Sequence, residues 1–170
     1  VNLVEEGIDV AIRIGELPDS SLQGTRVGTV RRVICAAPRY LRAHGTPAQP
    51  EDLNRHTVIS ATAVTSVPQW RLSVGGKEQL YEVKPRLMVS SNDAAIAAAL
   101  GGFGVVRLLS YQIAAHVKAR ELRIVLAEFE PAVLPVHVVH HQGRRVSQKV
   151  RAFLDTAIAT LRADPFLNTR

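Results

Sequence analysis

The residue types that could do chemistry are spread thinly along this sequence, and no spacing between them completes a catalytic motif. The run VHVVHH places His137 and His141 on one strand face, but neither an HExxH motif nor a nearby carboxylate completes a metal site. The stretch GGFGVVR departs from GxGxxG because Arg107 stands where the third glycine belongs. Neither a GxSxG elbow nor a Walker loop occurs. We therefore predict no catalytic residue, no metal and no cofactor, and we expect the chain not to be an enzyme.

Composition narrows the choice of partner. The chain has 170 residues, 46% of them apolar, and a formal net charge of +6. Its Lys and Arg residues are scattered, with dense groups only at Arg31, Arg32 and residues 143–149, and no aromatic residues alternate with them. We therefore interpret these basic side chains as solvated surface rather than as a nucleic-acid-binding groove. The single cysteine, Cys35, lies in an apolar run and is expected to be buried. The sequence shows neither a signal peptide nor an apolar run long enough to span a membrane, so we expect a cytoplasmic protein without a membrane partner. The sequence starts at Val1 rather than Met, which leaves open that a targeting segment was removed.

Strand and helix patterns alternate along the chain. This alternation predicts an α/β fold with largely parallel sheets, whose ligands bind beyond the carboxyl ends of the strands. Period-two apolar patterns predict strands at residues 8–14, 29–37, 57–60, 69–74, 80–90, 104–109, 122–126 and 135–141, with a hairpin turn at Gly75 and Gly76. Helical patterns follow Pro38, Pro50, Ser91, Ser110 and Ser147, and the last has an apolar stripe that includes Phe153 and Leu154.

A polar tetrapeptide, Ser90–Asp93, opens the helix that runs into the glycines of GGFG. Ser91 or Asn92 can cap this helix by accepting from its free backbone N–H groups, and such caps are common without any ligand. The same N–H groups and the positive end of the helix dipole also suit an acceptor on a bound molecule. The pattern alone leaves both interpretations open. Gly101 and Gly102 favour simple capping of the helix end.

Four ordered blocks resemble the effector-binding domain of LysR-type transcriptional regulators. Together they cover nearly the whole chain, and they read VNLVEEGIDVAIRIGELPDSSL, VGTVRRVICAAPRYLRAHGTPAQPEDLNRH, DAAIAAALGGFGVVRLLSYQIA and LPVHVVHHQGRRVSQKVRAFLDTA. The resemblance implies a two-lobed fold like that of type II periplasmic binding proteins, with mixed, mainly parallel sheets and a small-molecule effector held between the lobes. Lobe I is expected to comprise residues 1–58 and 144–170, and lobe II residues 59–143.

The resemblance also implies features that this sequence does not contain. Family members carry an N-terminal winged helix-turn-helix, so we expect DNA binding to belong to the parent protein and not to these residues. The family pattern places a strand, a helix and another strand before VNLVEEG, so we expect lobe I to be incomplete. We also expect self-association as a dimer or tetramer, because an unpaired sheet edge recruits other chains.

Expected effector contacts follow from the resemblance and from strand ends. On lobe I they are Arg13, Gly15 and Glu16, although Arg13 could equally form an ion pair with Asp9 or Glu16. Elsewhere the expected contacts are Ser60, Thr62, Ser90, Ser91, Asn92, Asp93, Gly104 and Val105. We therefore predict a ligand-sensing module whose lobes change their angle when an unknown small-molecule effector binds. The alternatives are a transport-type solute-binding protein of the same fold and a small α/β enzyme.

Overall fold

The computed structural model describes residues 8–17, 22–61, 69–141 and 147–167. Its strands are β1 (Val10–Ile14), β2 (Leu22–Val30), β3 (Arg32–Ala36), β4 (Val58–Ser60), β5 (Gln69–Val74), β6 (Lys77–Glu82), β7 (Pro85–Met88), β8 (Val105–Leu109), β9 (Arg123–Val125) and β10 (Leu134–His141). Its helices are α1 (Pro38–His44), α2 (Asn92–Leu100), α3 (Ser110–Lys118) and α4 (Gln148–Ala163), with short 3₁₀ turns at Pro50–Arg55 and Ala127–Phe129. No helix in these described ranges is long and apolar enough to span a membrane.

The chain forms two compact units. One consists of the described residues up to Val30 together with those from Val133 onward, and the other is the continuous segment Arg31–Ala132. Strand pairing accounts for these bounds: β3 pairs with β8 and β9 of the second unit, whereas β10 pairs with β1 and β2 of the first. The two lobes that the resemblance implies, with boundaries at residues 58 and 143, stay a prediction.

The first unit is a three-stranded antiparallel sheet in the order β1-β10-β2, with α4 packed on β2 and β10. The Ser147 hydroxyl accepts a hydrogen bond from Val150 N at 3.3 Å, which confirms the predicted cap of α4. Leu154 of the apolar stripe is buried, whereas Phe153 of the same stripe is 60% exposed. Because α4 covers β10 and β2, Ile12 on β1 also remains 57% exposed.

The second unit is built on a five-stranded mixed sheet in the order β7-β4-β8-β3-β9. β4 runs parallel to β7 and β8, while β3 is antiparallel to β8 and β9. The β5-β6 hairpin covers one face with buried Trp70 and Leu72, and the opposite face packs against Ile96 of α2 and Ile113 of α3. The three central strands β4, β8 and β3 therefore alternate their side chains between two apolar layers.

Several local predictions need correction. Parallel pairing is limited to β4 with its two neighbours among the described strands, so the sheets are mixed, as expected, but not mainly parallel. The predicted strand at residues 29–37 is two strands, β2 and β3, separated by Arg31. Ser110 is the first residue of α3 and not its cap; its hydroxyl instead accepts from Arg31 N at 3.1 Å. The cap position is Leu109, whose N–H donates to the Gln112 side chain at 3.0 Å.

Candidate functional site

The carboxyl ends of β4 and β7 lie side by side in the second unit. Val89 N, immediately after β7, donates to the carbonyl oxygen of Ser60 at 2.9 Å. Ser60 ends β4 and is buried, with 4% of its surface exposed. Because α2 begins directly after this point, the structure brings Ser60 together with the polar stretch Ser90–Asp93. Thr62, the other residue expected near this strand end, lies outside the described residues.

Ser91 caps α2. Its hydroxyl accepts from Ala94 N at 3.2 Å, and its backbone adopts the extended conformation typical of a cap residue. Of the two predicted cap residues, Ser91 is therefore the one that caps. Asn92 is the first residue of the helix, and Ser90, Asn92 and Asp93 are all exposed. A helix start that has its cap and still presents exposed polar side chains can offer them to a ligand, although Asp93 opposes an anion there by its own charge.

Gly104 and Val105 lie at the other end of their strand. Since β8 runs parallel to β4, Val105 is beside Val58 at the amino end of both strands, and its N–H donates to Thr57 O at 2.8 Å. Both residues are buried, and a Cβ at Gly104 would collide with the Thr57 carbonyl. The structure therefore does not bring these two residues together with Ser60, and close strand packing explains the glycine.

The candidates in the first unit occupy the end of β1. Arg13 lies opposite His137 of β10 in the strand register. Gly15 has a φ of +115°, a region that favours glycine, and its N–H donates to Pro135 O at 2.9 Å. Glu16 follows and is exposed. The conformation of Gly15 thus has a structural cause in the chain turn after β1, and these three residues remain predicted contacts.

Arg107 is a polar residue of this region that the sequence reasoning did not select. It lies in β8, where Val106 is paired with Ile59 of β4, so the next position along both strands places Arg107 beside Ser60. Ser60 and Arg107 each follow a residue that faces α2 and α3, so both share the opposite face, covered by the hairpin. An arginine inside the apolar pattern GVVRLL was the signal that could have identified it.

The Arg107 guanidinium is held by the β5-β6 hairpin. Its Nη2 donates to Gln69 O at 3.3 Å, and its Cζ lies 5.4 Å from the centroid of the buried Trp70 ring. Its Nη1 is buried and has no hydrogen-bond partner among the described residues. Burial, followed by the nearby charges of Arg32 and Arg71, lowers the pKa of Arg107 to about 10. The side chain therefore stays cationic at neutral pH, close to two other arginines.

Two further ionisable groups in the second unit have structural explanations. The Arg31 Nη1 atom contacts both oxygens of Glu130, at 3.1 and 2.9 Å, and burial raises the pKa of Glu130 although Arg31 opposes this shift. Burial also raises the pKa of Cys35 to about 12, so its thiol is unreactive at neutral pH. In the part of the chain that the structure describes, no three His, Cys, Asp or Glu residues lie close enough to hold a metal ion.

Comparison with known proteins assigns the chain to a family. The model of the LysR substrate binding domain matches residues 1–162. The transcriptional regulator CrgA of Neisseria meningitidis serogroup B is 30% identical over 162 residues, which are 95% of this chain and 54% of CrgA. An HTH-type transcriptional regulator of Xanthomonas campestris pv. campestris is 32% identical over 169 residues, 96% of this chain and 49% of that protein. The chain thus spans about half the length of the curated relatives it matches.

Solved structures agree in fold. The regulatory domain of CrgA, a LysR-type regulator from Neisseria meningitidis, superposes with a TM-score of 0.80 at 30% identity, covering 95% of this chain and 79% of that domain. The regulatory domain of AphB from Vibrio vulnificus gives a TM-score of 0.78 at 24% identity, over 91% of this chain and 76% of that domain, which shows likeness of fold. Both resemble this mixed α/β chain, whose fold is of the type II periplasmic-binding-protein kind. The chain belongs to the LysR substrate-binding domain family and is a regulatory domain of the LysR type.

Proposed function

We propose that this domain senses a small-molecule effector, and that the effector binds where β4 and β7 end beside the start of α2. The observation that supports this most strongly is the 2.9 Å bond from Val89 N to Ser60 O, which joins a buried serine to the exposed polar start of a helix. Ligands of α/β sheets bind at the carboxyl ends of strands. Backbone N–H groups at a helix start supply donors to such ligands.

We propose that the full regulator uses this binding to control transcription. The relatives named above are transcriptional regulators, and they are about twice as long as the matched segment. Effector binding would bias the geometry of an oligomer whose DNA-binding domains lie outside this sequence, a coupling between separate sites. We place the protein in the cytoplasm, where its DNA target is found. The likeness to regulators supports this role over that of a transport-type solute-binding protein, and no catalytic step is part of the proposal.

The site suits a ligand that brings hydrogen-bond acceptors. Exposed Asn92 can donate from its amide, and the helix start adds backbone donors. The carboxylate of Asp93 lies in the first turn and competes for the same dipole. A hydroxyl or amide oxygen on the ligand therefore fits the α2 start as well as a carboxylate does, unless a further cation lies nearby. The predicted contacts Arg13, Gly15, Glu16 and Thr62 remain part of this proposal as secondary positions.

The test is a thermal-shift screen of small carboxylates, aromatic acids and amides, followed by titration of the hits into variants. Asn92→Ala and Ser60→Ala should each weaken a true hit by about three- to tenfold, since a buried polar contact contributes about 0.5–1.5 kcal/mol. Arg13→Ala tests the first unit in the same titration.

Asn54→Ala provides the matched control, because Asn54 is an exposed asparagine in the Pro50–Arg55 turn. This variant should bind each hit like the unmodified chain. A hit whose affinity is unchanged by substitution of Ser60, Asn92 and Arg13 would locate the effector elsewhere and reduce Ser90–Asp93 to a helix cap.

A further inference from the structure

We infer that Arg107 binds a small oxyanion, a carboxylate or a phosphate, at the face of the sheet where it lies beside Ser60. This inference rests on the proposed function for its location and adds the chemical class of the ligand. Three features of the described residues support this inference: a guanidinium nitrogen without a hydrogen-bond partner, a cluster of arginines, and contacts that fix the position of the side chain.

The unpartnered nitrogen is Nη1 of Arg107. It is buried and finds no acceptor among the described residues, whereas Nη2 donates to Gln69 O at 3.3 Å. Buried donors of native proteins nearly always have acceptors, so an exception calls for an explanation such as a ligand. A carboxylate or phosphate oxygen supplies the missing acceptor, and a guanidinium matches the geometry of either group. Because Nη1 is out of contact with solvent, the groups covering it must move aside when the anion enters.

The charges that act on the pKa of Arg107 are all positive. Arg32 of β3 is on the same sheet face, since it alternates with Val33, which packs on the opposite layer. Arg32 and Arg71 are close enough to lower the pKa of Arg107, and no acidic residue contributes to that shift. Glu78 contacts Arg71 at 3.3 Å, but both side chains are about half exposed, so this pair neutralises little. The region therefore attracts an anion.

The contacts that fix the side chain of Arg107 distinguish it from a mobile surface arginine. Its guanidinium lies over Trp70, which is 4% exposed, at 5.4 Å from the ring centroid. The Trp70 ring and the Gln69 carbonyl hold the guanidinium of Arg107 in place before a ligand binds, so little side-chain entropy is lost on binding. An arginine with a purely structural role would make the same two contacts, so the experiment must distinguish that role from anion binding.

Binding is measured by calorimetry and thermal shift on the 170-residue chain with benzoate and inorganic phosphate as probes. Chloride at equal ionic strength is the reference, and benzamide is the uncharged counterpart of benzoate. We expect benzoate or phosphate to bind and benzamide not to bind. Arg107→Gln should weaken that binding by about ten- to a hundredfold, the range for loss of a charge-assisted contact. Arg86→Gln removes the same charge from an exposed position in β7 and should change affinity less than twofold.

A second variant keeps the inference testable if Arg107→Gln folds poorly. Arg107→Met retains the aliphatic part of the side chain. Its melting temperature in chloride should equal or exceed that of the unmodified chain, because the substitution removes an unsatisfied buried donor and the repulsion of Arg107 by Arg32 and Arg71. A fall of several degrees in melting temperature, with no probe bound by the unmodified chain, would show that Arg107 serves only to hold the hairpin. Equal affinity of Arg107→Gln and Arg86→Gln would also overturn the inference.

The outcome separates this inference from the proposed function. A neutral effector that depends on Ser60 and Asn92 but not on Arg107 would overturn the anion site and leave the sensing role intact. Anion binding that depends on Arg107 but is unaffected by Ser60→Ala and Asn92→Ala would retain the anion site and contradict the location proposed for the effector.

Discussion

Replacing Arg31 by glutamine removes one partner of an ion pair that joins the start of the second unit to its end. Arg31 Nη1 contacts Glu130 at 2.9 and 3.1 Å, and the two side chains are 23% and 11% exposed. Arg31 N and O also bond to Ser110, but those backbone contacts survive the substitution. The change therefore leaves a nearly buried carboxylate without its cation.

The expected cost follows from that burial. Breaking a fully buried pair costs about 3–5 kcal/mol, and partial exposure of this one reduces the estimate to about 2 kcal/mol at neutral pH. That corresponds to a fall in melting temperature of about 4–8 °C for a chain of this size. Glu130→Gln should cost less than about 1 kcal/mol, because burial already makes ionisation of Glu130 unfavourable and its pKa is raised despite Arg31.

The pH dependence has a definite sign. A carboxyl whose pKa is raised on folding adds stability that is fully present below its ordinary value of 4.5 and is lost as pH rises through the folded pKa. Arg31→Gln removes the group that lowers this pKa, so it raises the folded pKa further and enlarges the loss at neutral pH. The difference in free energy of unfolding between Arg31→Gln and the unmodified chain should therefore become smaller as the pH falls from 7.5 to 5.

Urea unfolding followed by tryptophan fluorescence measures this directly. Trp70 is the single tryptophan of the sequence and is buried in the second unit, so it reports on the unit that contains the ion pair. Arg86→Gln controls for loss of a positive charge. The reasoning is refuted if the Arg31→Gln deficit is the same at pH 7.5 and pH 5, or if Glu130→Gln costs as much as Arg31→Gln.

Three further predictions concern packing, assembly and nucleic acid. Gly104→Ala should destabilise by about 1–3 kcal/mol in urea unfolding, because its Cβ meets the Thr57 carbonyl; an unchanged midpoint would contradict the close packing. Among the described strands β1 is at the edge of its sheet, and it exposes Ile12, so light scattering at micromolar concentration should show a dimer or larger species that Ile12→Lys reduces; a stable monomer would count against this. Gel shifts should show only weak, salt-sensitive duplex binding by this chain; a sequence-specific complex would mean that these residues read DNA.

Much of the local structure could be predicted because it depends on neighbours in the sequence. Ser91 and Ser147 cap helices as their position before apolar helical patterns predicts, and Gly75 and Gly76 form the turn between β5 and β6. The burial of Cys35 follows equally from its apolar strand. These features require no knowledge of which strands pair.

What the sequence did not show depends on distant pairing. Arg31 interrupts what reads as one strand, and only the pairing of β3 with β8 shows that the second unit begins there. Gly104 and Ser60 stay predicted ligand contacts, and the parallel register of β4 and β8 places them at opposite ends of these strands. Arg107 stands out in the sequence as a charge inside GVVRLL, but its position beside Ser60 exists only in the paired sheet. Hydrophobic periodicity carries no information on strand order.

The insertion of β10 between β1 and β2 has a consequence for how the polypeptide is synthesised. The second unit is one continuous segment that precedes β10, so all of its strands are synthesised, and emerge from the ribosome, before β10 does. β1 and β2, although made first, pair only with β10 among the described strands, and must wait for the end of the chain. Contacts so distant in sequence form slowly. We therefore expect the middle of the nascent chain to fold before its beginning, leaving the first strands exposed to chaperones during translation.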